Sequence, residues 1–199
     1  MNLTTKERVK ILLEIAASDT THDALLDQII ASLSVDAERV MNRLVKEEER
    51  TAQLNVDPGQ QRFFLRAFPV KSGAGVEIKN DSARKFSSVA AFVDDEYYLD
   101  LETGELQVDR RTVVAGPGTL QVRYTGGMGT NTADFISRFP DVAQAVELQT
   151  SVVFKRKEQY GLTSFSAEGG SLSLVPMLAW VSGAREVLMR RAAVRMGSH

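Results

Sequence analysis

The sequence predicts an α+β fold: a small helical bundle, two helices from each end of the chain, with an antiparallel β region inserted between them and an extended arm between the last two helices. Three observations lead there. Apolar residues recur at helical spacing from Val9 to Leu44 and again from Val142 to Val153. Between these stretches, from Thr51 on, short runs rich in β-formers alternate with turn residues. A serine-rich stretch, Thr163 to Leu174, fits neither period and reads as an arm that must lie on something. The expected division is residues 1–50 and 131–196 for the helical core, 51–130 for the β insertion and 162–175 for the arm. Gly197-Ser198-His199 reads as the stub of an expression tag.

The first helix is expected over Asn2 to Ala17, capped by Thr4 or Thr5, with Val9, Leu12, Leu13 and Ala16 as its buried stripe. Ser18-Asp19-Thr20-Thr21 breaks it and offers a new cap. A longer helix then carries Leu26, Ile29, Ile30, Leu33, Ala37, Val40, Met41 and Leu44 on one face. Its expected end is near Arg50, because Lys46-Glu47-Glu48-Glu49-Arg50 reads as a solvated continuation.

In the β region, Asp57-Pro58-Gly59 is a turn and Arg62 to Val70 a strand ended by Pro69. Val76-Glu77-Ile78 alternates, and Val89 to Val93 is apolar. Tyr97 to Leu101 and Leu106 to Val108 flank Glu102-Thr103-Gly104-Glu105, a hairpin with glycine where positive φ is needed. Gly116-Pro117-Gly118 reads as a turn before a last strand, Leu120 to Tyr124, and Gly126-Gly127-Met128-Gly129 as the exit. Pro140 then blocks earlier helix, and Asp141 with Gln144 resembles a capping pair. The helix they open ends on Lys155-Arg156-Lys157, cations that complement its dipole, before Gly161. A final helix is expected from Pro176 to about Arg195, anchored by Trp180.

Composition narrows the function classes. The 199 residues suit one domain, or one carrying an insertion, and 43% hydrophobic content supports a real core. A net charge of −2 argues against the whole chain as an electrostatic nucleic-acid binder. The absence of cysteine excludes thiolate zinc sites, disulfides and cysteine nucleophiles. No apolar run approaches the roughly 18 residues of a membrane span, and the N-terminus lacks a signal-peptide core.

Catalytic chemistry finds few candidates. His22 stands alone beside Asp23, without a positioned nucleophile, and no Gly-x-Ser-x-Gly elbow exists. Asp94-Asp95-Glu96 lacks the alternate-residue spacing of a calcium loop and reads as a solvated turn. Gly126-Gly127-Met128-Gly129-Thr130 lacks the Lys-Ser/Thr of a phosphate loop. No catalytic, cofactor-binding or metal-binding residue is therefore assigned. Charge does concentrate on the last helix, in Arg185, Arg190, Arg191 and Arg195 with only Glu186 against them. Such an end could meet nucleic-acid phosphates or an acidic protein groove.

Taken together, the parts resemble the head–tail connector (adaptor) proteins of long-tailed bacteriophages and gene transfer agents. The resemblance runs over most of the chain. Val9-Lys10-Ile11-Leu12-Leu13, then Asp23-Ala24-Leu25-Leu26, look like the family's short helix, polar break and "D-x-L-L". Phe64 to Val70 is similar to its strand ending in Pro-Val, and Tyr98 to Leu106 to the hairpin after it. Val122-Arg123-Tyr124-Thr125-Gly126-Gly127 resembles "V-x-Y-T-x-G", and Pro140-Asp141-Val142-Ala143-Gln144-Ala145 resembles "P-x-D-(V/L)-x-x-A". Where such chains often close on Tyr-Arg-Arg, this one reads Met189-Arg190-Arg191-Ala192.

The resemblance implies a structural virion protein without catalysis, made in the bacterial host cytoplasm and built into the head–tail junction. It implies a ring of about twelve copies. That ring joins the capsid portal to the stopper or tail-completion protein and extends the channel for DNA, which passes without sequence-specific binding. No cofactor and no membrane is implied. Phe165, Leu172 and Leu174 would then be the subunit-contact arm, and Arg185, Arg190, Arg191 and Arg195 the portal-docking set. The alternative is a packaging accessory protein that holds DNA through the basic C-terminal helix. A third reading, a small hydrolase or metal enzyme, rests on the acidic clusters.

Overall fold

A computed structural model describes residues 1–156, the backbone of 164–167 and 170–173, and residues 179–193. The chain forms two compact units. Met1–Met41 with Thr132–Ala192 make a helical unit, and Asn42–Asn131 form the body of a β unit.

In the helical unit, α1 (Lys6–Leu12) and α2 (Asp23–Met41) come from the N-terminal end. The later part of the chain contributes α3 (Thr132–Arg138), α4 (Pro140–Lys155) and α5 (Ser182–Arg190). The central element is α4, against which α1, α2, α3 and α5 all pack. Its stripe of Val142, Ala145, Val146 and Val153 is buried, as are Leu26, Ile30, Leu33 and Ala37 of α2, Phe135 of α3 and Leu188 of α5. The predicted periods of α2 and α4 are therefore buried, whereas of the first helix's expected stripe Val9 is buried and Leu12 and Ala16 are exposed, because that helix ends at Leu12.

Several boundaries differ from expectation. The first helix is only seven residues long; Glu14, at φ 58°, turns the chain out of it. The second stops at Met41 because Asn42 takes a left-handed conformation, a known helix-ending device. Pro140 does not mark the first helix of the C-terminal half, since α3 precedes it unforeseen. Pro140 is the first residue of α4, where its missing N–H costs nothing, and Phe139 rather than Asp141 occupies the cap position.

The β unit contains two three-stranded antiparallel sheets. One has the order β1-β6-β3, from β1 (Glu48–Val56), β6 (Gly116–Gly126) and β3 (Glu77–Asn80). The other has the order β2-β5-β4, from β2 (Arg62–Phe64), β5 (Glu105–Val108) and β4 (Tyr97–Leu99). The expected solvated helix end is in fact β1. Its residues alternate inward and outward, with Ala52, Leu54 and Val56 turned to the core, and it pairs with β6 from Glu48↔Gly126 onward. Cross-strand pairing thus outweighs the helix propensity of a Lys/Glu-rich run.

The hairpin of β4 and β5 forms as expected, with Leu99 opposite Leu106 and Gly104 at φ 71°. The strand expected over 62–70 shortens to three residues, and the chain then bends through a cis Phe68–Pro69 bond. Gly116-Pro117-Gly118 is the first part of β6 rather than a separate turn. The apolar run Val89 to Val93 is not a strand. It buries Phe92, whose N–H donates to the Ile78 carbonyl (2.8 Å). One core, including Phe63, Leu65, Ile78, Leu106, Leu120, Val122 and Tyr124, serves both sheets.

Beyond α4, the backbone of β7 (Ser164–Ala167) pairs antiparallel with β8 (Gly170–Ser173). The serine-rich stretch is therefore a two-stranded ribbon over these residues, not a single extended arm.

Candidate functional site

Three places on the molecule were expected to carry function or chemistry: the last helix, the serine-rich stretch and the acidic cluster. On α5, Arg185 is exposed and has no carboxylate partner among the described residues. Arg190 donates to Glu186 one turn earlier (2.6 Å), an exposed pair of small energetic weight. Arg191 donates from Nε and a terminal nitrogen to Asp141 at 3.2 and 3.1 Å and lies 5.6 Å from the Phe139 ring centre. That contact ties the end of α5 to the start of α4, so Arg191 has a structural task as well. Met189, half exposed, adds an apolar contact point among these cations. Arg195 lies outside the described residues.

The start of α5 is held in place from α4. Gln149, fully buried, donates its side-chain amide to the Ala179 carbonyl (3.1 Å) and accepts the Val181 N–H (2.8 Å). The Trp180 indole N–H donates to Asp36 of α2 (2.6 Å), which makes it the anchor the sequence suggested. A second polar knot sits at the other face of α4. Buried Glu147 accepts the Thr4 hydroxyl (2.7 Å) and the Arg8 Nε–H (2.6 Å). Nearby, buried Lys10 bonds the Asp19 carbonyl (2.7 Å) and pairs with Asp23 (2.5 Å). The Lys10 ammonium is the main reason the Asp23 carboxyl is held below its ordinary range.

In the ribbon, the register sets Phe165 opposite Leu172 and Ser166 opposite Ser171. Leu174 lies outside the described residues.

The acidic cluster is occupied by its own neighbours. Asp95 pairs with Arg110 (3.3 Å) and Glu96 with Arg111 (3.2 Å), while the Tyr97 hydroxyl donates to Asp94 (3.5 Å). Glu96 also accepts the Val93 N–H, the largest reason its carboxyl is held low. Among the described residues no group of three or more carboxylates and imidazoles is placed to hold a metal ion. His22 packs edge-on against Phe154, ring centres 5.2 Å apart. The glycine pair is a packing device. A Cβ on Gly126 would run into the Ala67 carbonyl, and one on Gly127, at φ 141°, would lie 2.6 Å from the Glu47 backbone.

Sequence reasoning missed one feature of the β unit. A groove of about 430 Å³ runs along β1, walled by Glu48 to Leu54 on one side and Phe64, Leu65 and Arg66 on the other, over Leu44 and Tyr124. The strand β1 is at the edge of its sheet, so this flank carries backbone groups not engaged by β6. The alternation Ala52, Leu54, Val56 was the available signal, masked by the charged run before it.

The fold occurs in known particles. It resembles a chain in the neck of an empty GTA particle computed with C6 symmetry, at 17% identity and a TM-score of 0.54, over 93% of this chain and 85% of that one. A chain of the virion of a native gene transfer agent particle matches at 15% identity and a TM-score of 0.54, over 93% and 86%. A chain in the neck of the native GTA particle computed with C12 symmetry matches at 18% identity and a TM-score of 0.50, over 91% and 86%. No curated protein matches the sequence. The family model described as head completion protein matches residues 2–189, and the chain belongs to that family.

Proposed function

We propose that this protein is a structural component of a phage or gene-transfer-agent particle, one copy of a ring at the head–tail junction that joins the portal to the tail or stopper and continues the DNA channel. The observation that carries the reading is the family match over nearly the whole chain, residues 2–189. Two further observations support it. The fold is shared with neck chains, one of them in a structure with C12 symmetry, which favours a ring of about twelve copies. The cations are largely committed: Arg8, Arg110, Arg111, Arg123, Arg138, Arg190 and Arg191 all face carboxylates. With a net charge of −2, such a surface suits a channel through which DNA slides, because tight phosphate binding needs clustered uncommitted Lys and Arg.

In this reading Arg185 and Arg190 of α5, with Arg195 beyond it, meet an acidic surface of the portal. Arg191 sets the end of α5 through Asp141. Phe165, Leu172 and Leu174 belong to the segment that reaches a neighbouring subunit. Native mass spectrometry of the protein, alone and mixed with its candidate portal, tests the ring. A closed ring in either sample is the expected result. A monomer that ignores the portal, together with salt-dependent affinity for duplex DNA, overturns it in favour of the DNA-binding alternative. The double variant Arg185→Glu, Arg190→Glu is expected to lose portal association while keeping its fold. Unchanged association removes the docking role from α5.

A further inference from the structure

The groove along β1 has the properties of a site for an added strand. Nine residues long, β1 bonds β6 on one side and, among the described residues, pairs with no strand on the other. Its other side offers alternate N–H and C=O groups to the groove. From Thr51 to Leu54 this edge has none of the charges or prolines that usually protect such strands. The groove is apolar where an added strand would press side chains inward, at Leu44, Ala52, Leu54, Phe64 and Leu65. Arg50, which lines it, supplies a second and independent sign. Its Nε–H is buried and has no acceptor among the described residues, although its terminal nitrogen reaches Glu48 and the Lys46 carbonyl. A buried donor without an acceptor is costly, and the carbonyl of an added strand would satisfy it.

The helical unit carries a segment that matches this site. The strands β7 and β8 are four residues each and, among the described residues, form a two-stranded sheet. A two-stranded ribbon alone is marginal in water and gains stability from a third strand. Within 164–167 and 170–173 there is no charge and no proline to protect its outer edges. The register sets Phe165 opposite Leu172 and Ser166 opposite Ser171.

We infer that the open edge of β1 takes up the β7–β8 ribbon of the next copy in the ring by strand addition. The inference rests on the ring proposed above and specifies one of its subunit contacts. Each copy then offers one edge and one ribbon. This is a heterologous contact of the kind that closes a ring.

The chain has no cysteine, so engineered thiols report this contact directly. Gln53→Cys, on the exposed face of β1, is mixed with Ser166→Cys or Ser171→Cys protein in the presence of the candidate portal, and a short bis-thiol cross-linker is added. Only contacts between copies can then join the two variants. The expected result is a covalent dimer in the ring fraction, absent from the monomer fraction. Slowing of amide exchange over Glu48 to Leu54 on assembly, on the order of tenfold or more, is expected alongside it. Rings that form without a cross-link or added protection overturn the strand addition and leave the ring standing. A cross-link from position 53 to the portal overturns it in favour of a different occupant. If no ring forms with the unmodified protein under any of these conditions, the ring reading fails and this inference falls with it.

Discussion

In the helical unit the middle of α4 buries Glu147, Gln149, Thr150 and Ser151. In the β unit the shared core is aliphatic and aromatic, with the Tyr124 hydroxyl as a polar group inside it. Both units come from one chain of moderate hydrophobic content, yet they hold together differently. The helical unit gathers segments far apart in sequence, residues 1–41 and 132–192. It fixes them with directional bonds from a central helix: Glu147 to Thr4 and Arg8, Gln149 to Ala179 and Val181. The β unit is continuous from Asn42 to Asn131, and strand ladders join its segments around an apolar core. Directional bonds set geometry more than they add stability, because each replaces a bond to water.

The sharpest way to break this comparison is to empty the apolar core. Leu120→Ala, at a fully buried site between β1 and β3, is expected to destabilise the β unit by about 3 kcal/mol. Urea unfolding followed by far-ultraviolet circular dichroism measures it. The single Trp180, bonded to Asp36, reports the helical unit by fluorescence in the same titration. If the Trp180 signal shifts as much as the dichroism, the two units unfold as one, and a separate account of each loses its meaning.

Removing the polar knot should cost less. Glu147→Ala leaves the Thr4 hydroxyl and Arg8 without their acceptor and is expected to cost about 2 kcal/mol, read from the Trp180 transition. Glu147→Gln keeps shape and one acceptor and should cost about 1 kcal/mol. Equal losses would mean that the charge of the carboxylate, not the volume of the side chain, holds α1 on α4.

The smallest effects are those of pH. Asp23 is held below its ordinary range, chiefly by the bond from Lys10. A carboxyl whose folded pKa lies below its unfolded one stabilises fully above about pH 4 and loses that contribution as pH falls through the folded value. Tyr124 is shifted the other way, raised chiefly by burial. Its contribution is complete below about pH 10 and is lost as pH rises through the folded value. The Trp180 signal should therefore weaken on the acid side, and Tyr124→Phe should move the alkaline loss of the β unit to higher pH. An alkaline limb unchanged in Tyr124→Phe would assign it to another group of the β unit, such as Tyr97, whose pKa is also raised chiefly by burial.

Much of the layout was legible before any coordinates. The stripes of α2 and α4, the β4–β5 hairpin with its glycine, and the anchor at Trp180 are all local patterns or single distinctive residues. The misreadings share a cause. Glu48 to Arg50 looks helical by composition and becomes strand because β6 is there to pair with it. The residues of α3 carry a weak pattern, and Phe135 is buried against a neighbour the sequence does not announce. The α5 cations were read as a free cluster, but Arg190 and Arg191 each have a carboxylate partner, one of them 50 residues away.

By itself, then, the sequence determined what short-range periodicity can encode: a helical bundle interrupted by an antiparallel insertion, the absence of thiol chemistry, and an order of motifs that pointed to a head–tail connector. Only the tertiary structure decided which polar residues of α4 are buried, why Gly126 and Gly127 must lack side chains, and that β1 is left with an open edge beside a groove. The physical reason is that burial, close backbone approach and edge exposure depend on residues brought together from distant parts of the chain, and no local pattern specifies those neighbours.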